Sequence, residues 1–173
     1  MSKTYVISGA TSGIGKALLE KLAENNVVFA GYRSEEKLEL LEQISPNIQP
    51  FYVDYSKPET IAASIEFIKS KTNKIDTLIN VAGCVVAGPI EKISIDEIKR
   101  QFNVNVFGHI EMMQGLAQLL ENGKIINVSS MASYGIFLLY RRIAHQSVVW
   151  ICSLILFLLK INAILKLFQL SQG

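Results

Sequence analysis

Two hydrophobic periods alternate along the first 130 positions. Short apolar runs of the kind that fill buried parallel strands stand at TYVIS (4–8), VVFAGY (27–32), IQPFYV (48–53), TLIN (77–80) and KIINVS (124–129). Between them the apolar positions recur every three to four residues, which predicts helices over Ile14–Asn25, Glu35–Ile44, Pro58–Ser70 and Ser94–Leu120. Two helix starts carry a chemical signature. Ser56-Lys-Pro-Glu59 offers a capping serine, a first-turn proline and a reciprocal glutamate, and Ser94-Ile-Asp-Glu97 repeats the capping box. Repeated β-then-α units require right-handed crossovers, and so predict an α/β protein with a doubly wound parallel sheet of the Rossmann kind.

Composition changes this picture only at the far end. The 173 residues fit one domain with a substantial core; half are hydrophobic and 18% are charged. A net charge of +2 without a basic cluster excludes a nucleic-acid partner from the reading. Cys84 and Cys152 form no metal spacing and no disulfide framework, so no metal is expected and a reducing, cytoplasmic compartment is. The opening MSKTYVISG enters a strand directly, which leaves no room for a signal peptide. From Ser147 to Leu170 only Lys160 and Lys166 are charged. The uncharged run before Lys160 is short of the about 20 apolar residues that a membrane-spanning helix needs, yet it has no polar face. Membrane association through this tail is the alternative location. The division expected is a dinucleotide-binding core over 1–140, cut off after the fifth strand, and an apolar tail over 141–173.

The first strand runs through SGATSGIG (8–15) straight into a helix. Glycines at 9, 13 and 15 permit a tight turn and a close approach that a Cβ would obstruct, and the helix N-terminus offers N–H groups to a phosphate. The spacing GxxxGxG, with Ser8 ahead of it, resembles the cofactor loop of the short-chain dehydrogenase/reductase family. The likeness continues through VDYS (53–56), NVAG (80–83), FNVNVFGHIEM (102–112) and IINVSS (125–130), in order, from about Thr4 to Gly135. NVFGHI is similar to the hydroxysteroid-dehydrogenase-like branch, which includes fungal acyl-dihydroxyacetone-phosphate reductases.

The resemblance implies an oxidoreductase acting on a carbonyl or alcohol, the substrate lipid-like or steroid-like. Gly9, Ser12, Gly13, Ile14 and Gly15 fall on the cofactor loop, Asp54 on the adenine position, and Asn80, Ala82 and Gly83 on the stretch that lines the nucleotide. The second strand ends AGYRS. Without a carboxylate there, and with Arg33 in place, it suits the 2′-phosphate of NADP(H), because a guanidinium donates two hydrogen bonds at once.

In the family, a tyrosine and a lysine four residues later move the proton and hold the ribose. A serine binds the substrate oxygen and an asparagine serves the proton relay. Asn105 matches the asparagine and Ser130 the serine. The tyrosine is expected near 142 or 143, where Arg142 and Ile143 stand; Tyr140 is followed four residues on by Ala144. His145 and His109 are read as structural, and Cys84 as a small buried residue lining a loop. The chain as written is therefore expected to be inactive, since loss of general acid catalysis alone costs roughly 10²–10⁴-fold. The other reading is a non-catalytic nucleotide-binding or membrane-associated protein. Oligomeric state is left open.

The genetic code supplies one more expectation. When the last base of each codon is read with the first two of the next, Arg142/Ile143 permits tyrosine, His145/Gln146 serine and Gln146/Ser147 lysine. That restores Y-x-x-S-K at family spacing, and a permitted continuation reaches a strand VVSI followed by Pro-Gly. The expectation is a slip of frame between about Phe137 and Arg142, which would also account for an apolar tail without a pattern.

Overall fold

The computed structural model describes residues 2–86 and 92–128. Five parallel strands form one sheet: β1 (Thr4–Ser8), β2 (Val27–Tyr32), β3 (Ile48–Tyr52), β4 (Thr77–Asn80) and β5 (Lys124–Asn127), in the spatial order β3-β2-β1-β4-β5. The chain steps outward from β1 to β3, then returns to lay β4 on the other side of β1. That reversal opens a crevice between the carboxyl ends of β1 and β4, the place where such sheets bind ligands. The strands match the expected runs closely; β3 and β5 end one and two residues early.

Parity along each strand sends side chains to two cores. Val6, Phe29, Phe51 and Leu78 face one side, where Ile61, Ile65 and Ile68 of α3 (Pro58–Lys71) and Met112 of α5 (Gly108–Gly115) cover them. Ile7, Val28, Ala30 and Ile79 face the other, under Leu19 of α1 (Gly13–Leu22) and Leu41 of α2 (Glu35–Glu42). Ile7, Leu78, Ile68 and Met112 are fully buried, each contributing about 1.5–3 kcal/mol relative to exposure. A sheet covered on both faces is why its strands are near-continuous apolar runs.

Three expectations about helices are corrected. The first helix stops at Leu22, three residues short, because the Asn26 side chain donates to the Leu22 carbonyl at 2.9 Å and turns the chain toward β2. Ser56 does not cap α3. Lys57 stands at that position without a side-chain cap, and the Ser56 hydroxyl donates instead to Asp54 Oδ1 at 2.7 Å. The predicted first-turn proline is nevertheless there. The long helix over Ser94–Leu120 is interrupted: α4 (Ile95–Phe102), a wide π-turn over Asn103–Phe107, α5, and a 3₁₀ turn over Ala117–Leu120. Its capping box is intact, with Glu97 N–H donating to Ser94 Oγ at 3.2 Å and Ser94 N–H to Glu97 Oε2 at 3.1 Å.

Candidate functional site

The turn after β1 is built from backbone. Gly9 (φ +67°) and Gly13 (φ +49°) occupy left-handed conformations, the only described residues with positive φ. A Cβ on Gly9 would lie 2.8 Å from both Cα and N of Ala82, so this turn and the segment after β4 touch main chain to main chain. A Cβ on Gly15 would collide with the Gly9 carbonyl oxygen, which brings α1 down onto the turn. Ser12 stands at the N-cap of α1 with an extended backbone and no side-chain capping bond, and the first turn of α1 carries no acid. The N–H groups at that terminus therefore meet no competing carboxylate from their own helix. Ile14 is 58% exposed beside them. A cradle that a side chain would fill, at a helix N-terminus, suits the pyrophosphate of a dinucleotide.

Ser8, just before the turn, is buried and accepts hydrogen bonds from the backbone N–H groups of Val81 (3.0 Å) and Ala82 (3.2 Å). The register aligns Ser8 with Asn80 and Asn80 with Asn127, which makes a polar row across the carboxyl ends of β1, β4 and β5. Asn80 Nδ2 donates to Asn127 Oδ1 at 2.8 Å.

The segment after β4 is held by side chains of the interrupted helix. His109 Nε2 bonds the Ala82 carbonyl oxygen at 2.8 Å. Asn105, inside the π-turn, accepts from Cys84 N–H and donates to the Cys84 carbonyl, both at 2.8 Å. Gln101 Oε1 accepts from Val86 N–H at 2.8 Å. Asn105 thus has its amide committed to Cys84, while Gly83 lies between these anchors, its would-be Cβ an ordinary 3.5 Å from Asn105 Oδ1. Cys84 is half-buried at the margin of the core, less enclosed than the buried loop residue expected there. His109 is 2% exposed, and burial pushes its pKa down to about 4 despite the bond to Ala82. Gln101 lies in no motif, and His109 lies within FNVNVFGHIEM but reads there as structural; the signal for both is their four-residue spacing from Asn105.

At the other side of the crevice, Asp54 follows β3. Burial would raise its pKa, but hydrogen bonds from Ser56 and the charges of Arg33 and Lys57 together lower it. Arg33 is exposed at the end of β2, within electrostatic reach of Asp54. Glu35 opens α2 two residues later. Burial raises the Tyr32 pKa, and the charge of Glu35 adds to it. The described residues thus bring Gly9, Ser12, Gly13, Ile14, Gly15, Arg33, Asp54, Asn80, Ala82, Gly83 and Asn105 to the carboxyl ends of the strands. Ser130, Tyr140, Arg142, Ile143, His145 and the tail lie outside them. Among the described residues no group of His, Cys, Asp or Glu could hold a metal, and no helix is long and apolar enough to cross a membrane.

A parallel doubly wound sheet with a glycine turn at its switch point defines a fold of the dinucleotide-binding type. The chain belongs to the short-chain dehydrogenase family: it matches the family model "short chain dehydrogenase" over residues 3–139. It is 34% identical over 138 residues to an NADPH-dependent 3-dehydrocapnine reductase of Ornithobacterium rhinotracheale, covering 73% of this chain and 49% of that protein. It is 32% identical over 139 residues to an NADPH-dependent 1-acyldihydroxyacetone phosphate reductase of Saccharomyces cerevisiae, covering 75% and 46%. A 3-ketodihydrosphingosine reductase of Bacteroides thetaiotaomicron is 30% identical over 128 residues, covering 72% and 46%. The chain therefore spans about half the length of these relatives. A short-chain dehydrogenase/reductase variant of Serratia marcescens shares the fold with a TM-score of 0.78 at 21% identity, over 91% of this chain and 64% of that one.

Proposed function

We propose that this chain carries the NADP(H)-binding half of a carbonyl/alcohol oxidoreductase acting on a lipid-like substrate. The observation that carries the cofactor choice is Arg33 at the end of β2, exposed and within electrostatic reach of Asp54, where an acidic residue would serve a 2′-hydroxyl. Relatives named as NADPH-dependent reductases support the same choice. Names specifying acyldihydroxyacetone phosphate and 3-ketodihydrosphingosine support a lipid-like carbonyl as substrate. The cofactor, when bound, supplies the hydride. The chain's own parts would seat the pyrophosphate on Gly9, Ser12, Gly13, Ile14 and Gly15, the adenosine end against Asp54 and Arg33, and the remainder along Asn80, Ala82 and Gly83. Asn105 would order the segment beside the reaction, and Ser130 would donate to the substrate oxygen.

The sequence has no Tyr-x-x-x-Lys near 142, so the chain as written binds without turnover. Membrane association through residues 147–170 belongs to this non-catalytic reading, as the alternative to a cytoplasmic location. The origin we propose for it is a slipped frame between about Phe137 and Arg142; coding DNA lacking TAT and AAG in the shifted frame would sink that idea.

Titration of the 173-residue chain with NADPH and NADH tests the cofactor reading. NADPH should bind tighter by about tenfold or more, and Arg33→Ala should remove that preference without weakening NADH. Equal affinities, or a preference for NADH abolished by Glu35→Gln, would overturn it. Measurable carbonyl reduction would overturn the absence of turnover.

A further inference from the structure

Gln101, Asn105 and His109 are spaced four residues apart, and they bond Val86, Cys84 and Ala82 in turn. Each step of four up the helix takes one step of two down the segment. Four helical residues rise about 6 Å and two residues of extended chain about 6.6 Å, so the two repeats stay in phase over three rungs. A regular α-helix would carry the third side chain roughly 80° around from the first over eight residues. The wide turn over Asn103–Phe107 takes more residues per turn and returns His109 to the face of Gln101. The interruption of the helix is thus what makes the ladder possible. Both outer rungs are 2% exposed.

The third rung also has a fixed chemical form. A carbonyl oxygen only accepts, so the His109 nitrogen facing Ala82 must carry the proton. The other nitrogen, Nδ1, is buried without a hydrogen-bond partner among the described residues, and the ring packs edge-on against Tyr55 with centroids 4.7 Å apart. The Tyr55 hydroxyl lies toward Ser8 but makes no hydrogen bond of ordinary geometry among the described residues. Ala82 is therefore gripped at both ends of its peptide framework, its N–H by Ser8 and its carbonyl by His109, at the point where Gly9 approaches most closely.

We infer that His109 is a positioning residue for nucleotide binding: as the Nε2–H tautomer it holds the Ala82 carbonyl and sets the segment after β4 against the glycine turn. This rests on the cofactor reading above. The test compares NADPH affinity of the full chain with that of His109→Leu and His109→Gln. Glutamine can return an N–H donor to the same carbonyl, whereas leucine keeps bulk and loses the donor. His109→Gln should stay within about threefold of the parent and His109→Leu should weaken binding about tenfold. Equal losses in the two variants, or none in His109→Leu, would overturn the inference. Imidazole ¹⁵N NMR of the ligand-free chain at pH 7 is a second measurement, assigned with His145→Gln because the chain has two histidines. It should show a protonated Nε2 and a bare Nδ1; the opposite tautomer overturns the inference even if His109→Leu fails to fold. A parent chain that binds no NADPH overturns the cofactor reading and the nucleotide half of this one with it, and the tautomer then decides the Ala82 bond alone.

Discussion

The turn after β1 and the segment after β4 lie against each other at the switch point, yet they are shaped by opposite means. The first is backbone that no side chain can enter: a Cβ on Gly9 would sit 2.8 Å from Ala82, and one on Gly15 would strike the Gly9 carbonyl oxygen. The second is backbone that side chains hold from outside, through Ser8, His109, Asn105 and Gln101. A turn made by omission of side chains depends on few residues and fails abruptly. A segment made by several hydrogen bonds fails by degrees, each bond contributing about 0.5–1.5 kcal/mol net.

The largest effect should come from breaking the first kind. Gly9→Ala forces a Cβ into a left-handed conformation, costing roughly 1–2 kcal/mol, and into the Ala82 main chain, costing roughly 1–3 kcal/mol more. Urea unfolding should show a loss of about 3 kcal/mol or more. Gly83→Ala, in the facing segment, meets Asn105 Oδ1 at 3.5 Å, an ordinary contact, and should change stability by less than about 0.5 kcal/mol. Equal losses at the two glycines would erase the distinction between the regions.

The second kind is best probed by pH, because one of its rungs titrates. His109 is lowered from 6.5 to about 4 in the folded chain by burial. Between those values the unfolded chain holds a proton that the folded chain does not, so stability rises with pH. The contribution is fully present above the unfolded value of 6.5 and is lost as pH falls toward about 4. Its size is about 3 kcal/mol. Asp54 has a lowered pKa as well, so its contribution is present above its ordinary value of 3.8 and lost only below that. The urea midpoint should therefore drop between pH 6.5 and 4.5 in the parent chain and in His145→Gln, and much less in His109→Gln. A parent midpoint that stays flat would show that His109 is not held neutral by the fold.

These regions also differ in how far sequence discloses them. The glycine turn has a local signature, since positive φ and close approach select glycine at fixed offsets between a strand and a helix; positions 9, 13 and 15 are legible from that spacing alone. The five strands are equally plain, because a sheet buried on both faces leaves near-continuous apolar runs. The ladder is hidden, because its rungs come from a helix some twenty residues away, and each rung alone has an ordinary explanation. Ser94–Leu120 reads as one helix because apolar spacing tolerates a single wide turn, and that turn is what aligns Gln101 and His109 with Asn105. Ser56 misleads for a related reason. A serine before Lys-Pro-Glu can cap the helix or bond the preceding aspartate, and only the placement of Asp54 decides between them.

The finest distinction lies within the glycine turn itself. Gly13 has φ +49° but open space where a Cβ would go, with no heavy atom of the described residues within 4 Å apart from its chain neighbours and its own helix backbone. Its requirement is conformational alone, whereas that of Gly9 is conformational and steric. Asparagine tolerates the left-handed region better than other non-glycine residues, since its short side chain can bond locally. Gly13→Asn should therefore cost no more than about 0.5–1 kcal/mol, and Gly13→Ala somewhat more, about 1–2 kcal/mol. At Gly9 asparagine should bring no such relief, because the Ala82 backbone stands in the way of any Cβ. Stability of the four variants by urea unfolding separates the two requirements. If asparagine relieved both positions equally, the close contact of Gly9 with Ala82 would not be what joins the two halves of the site.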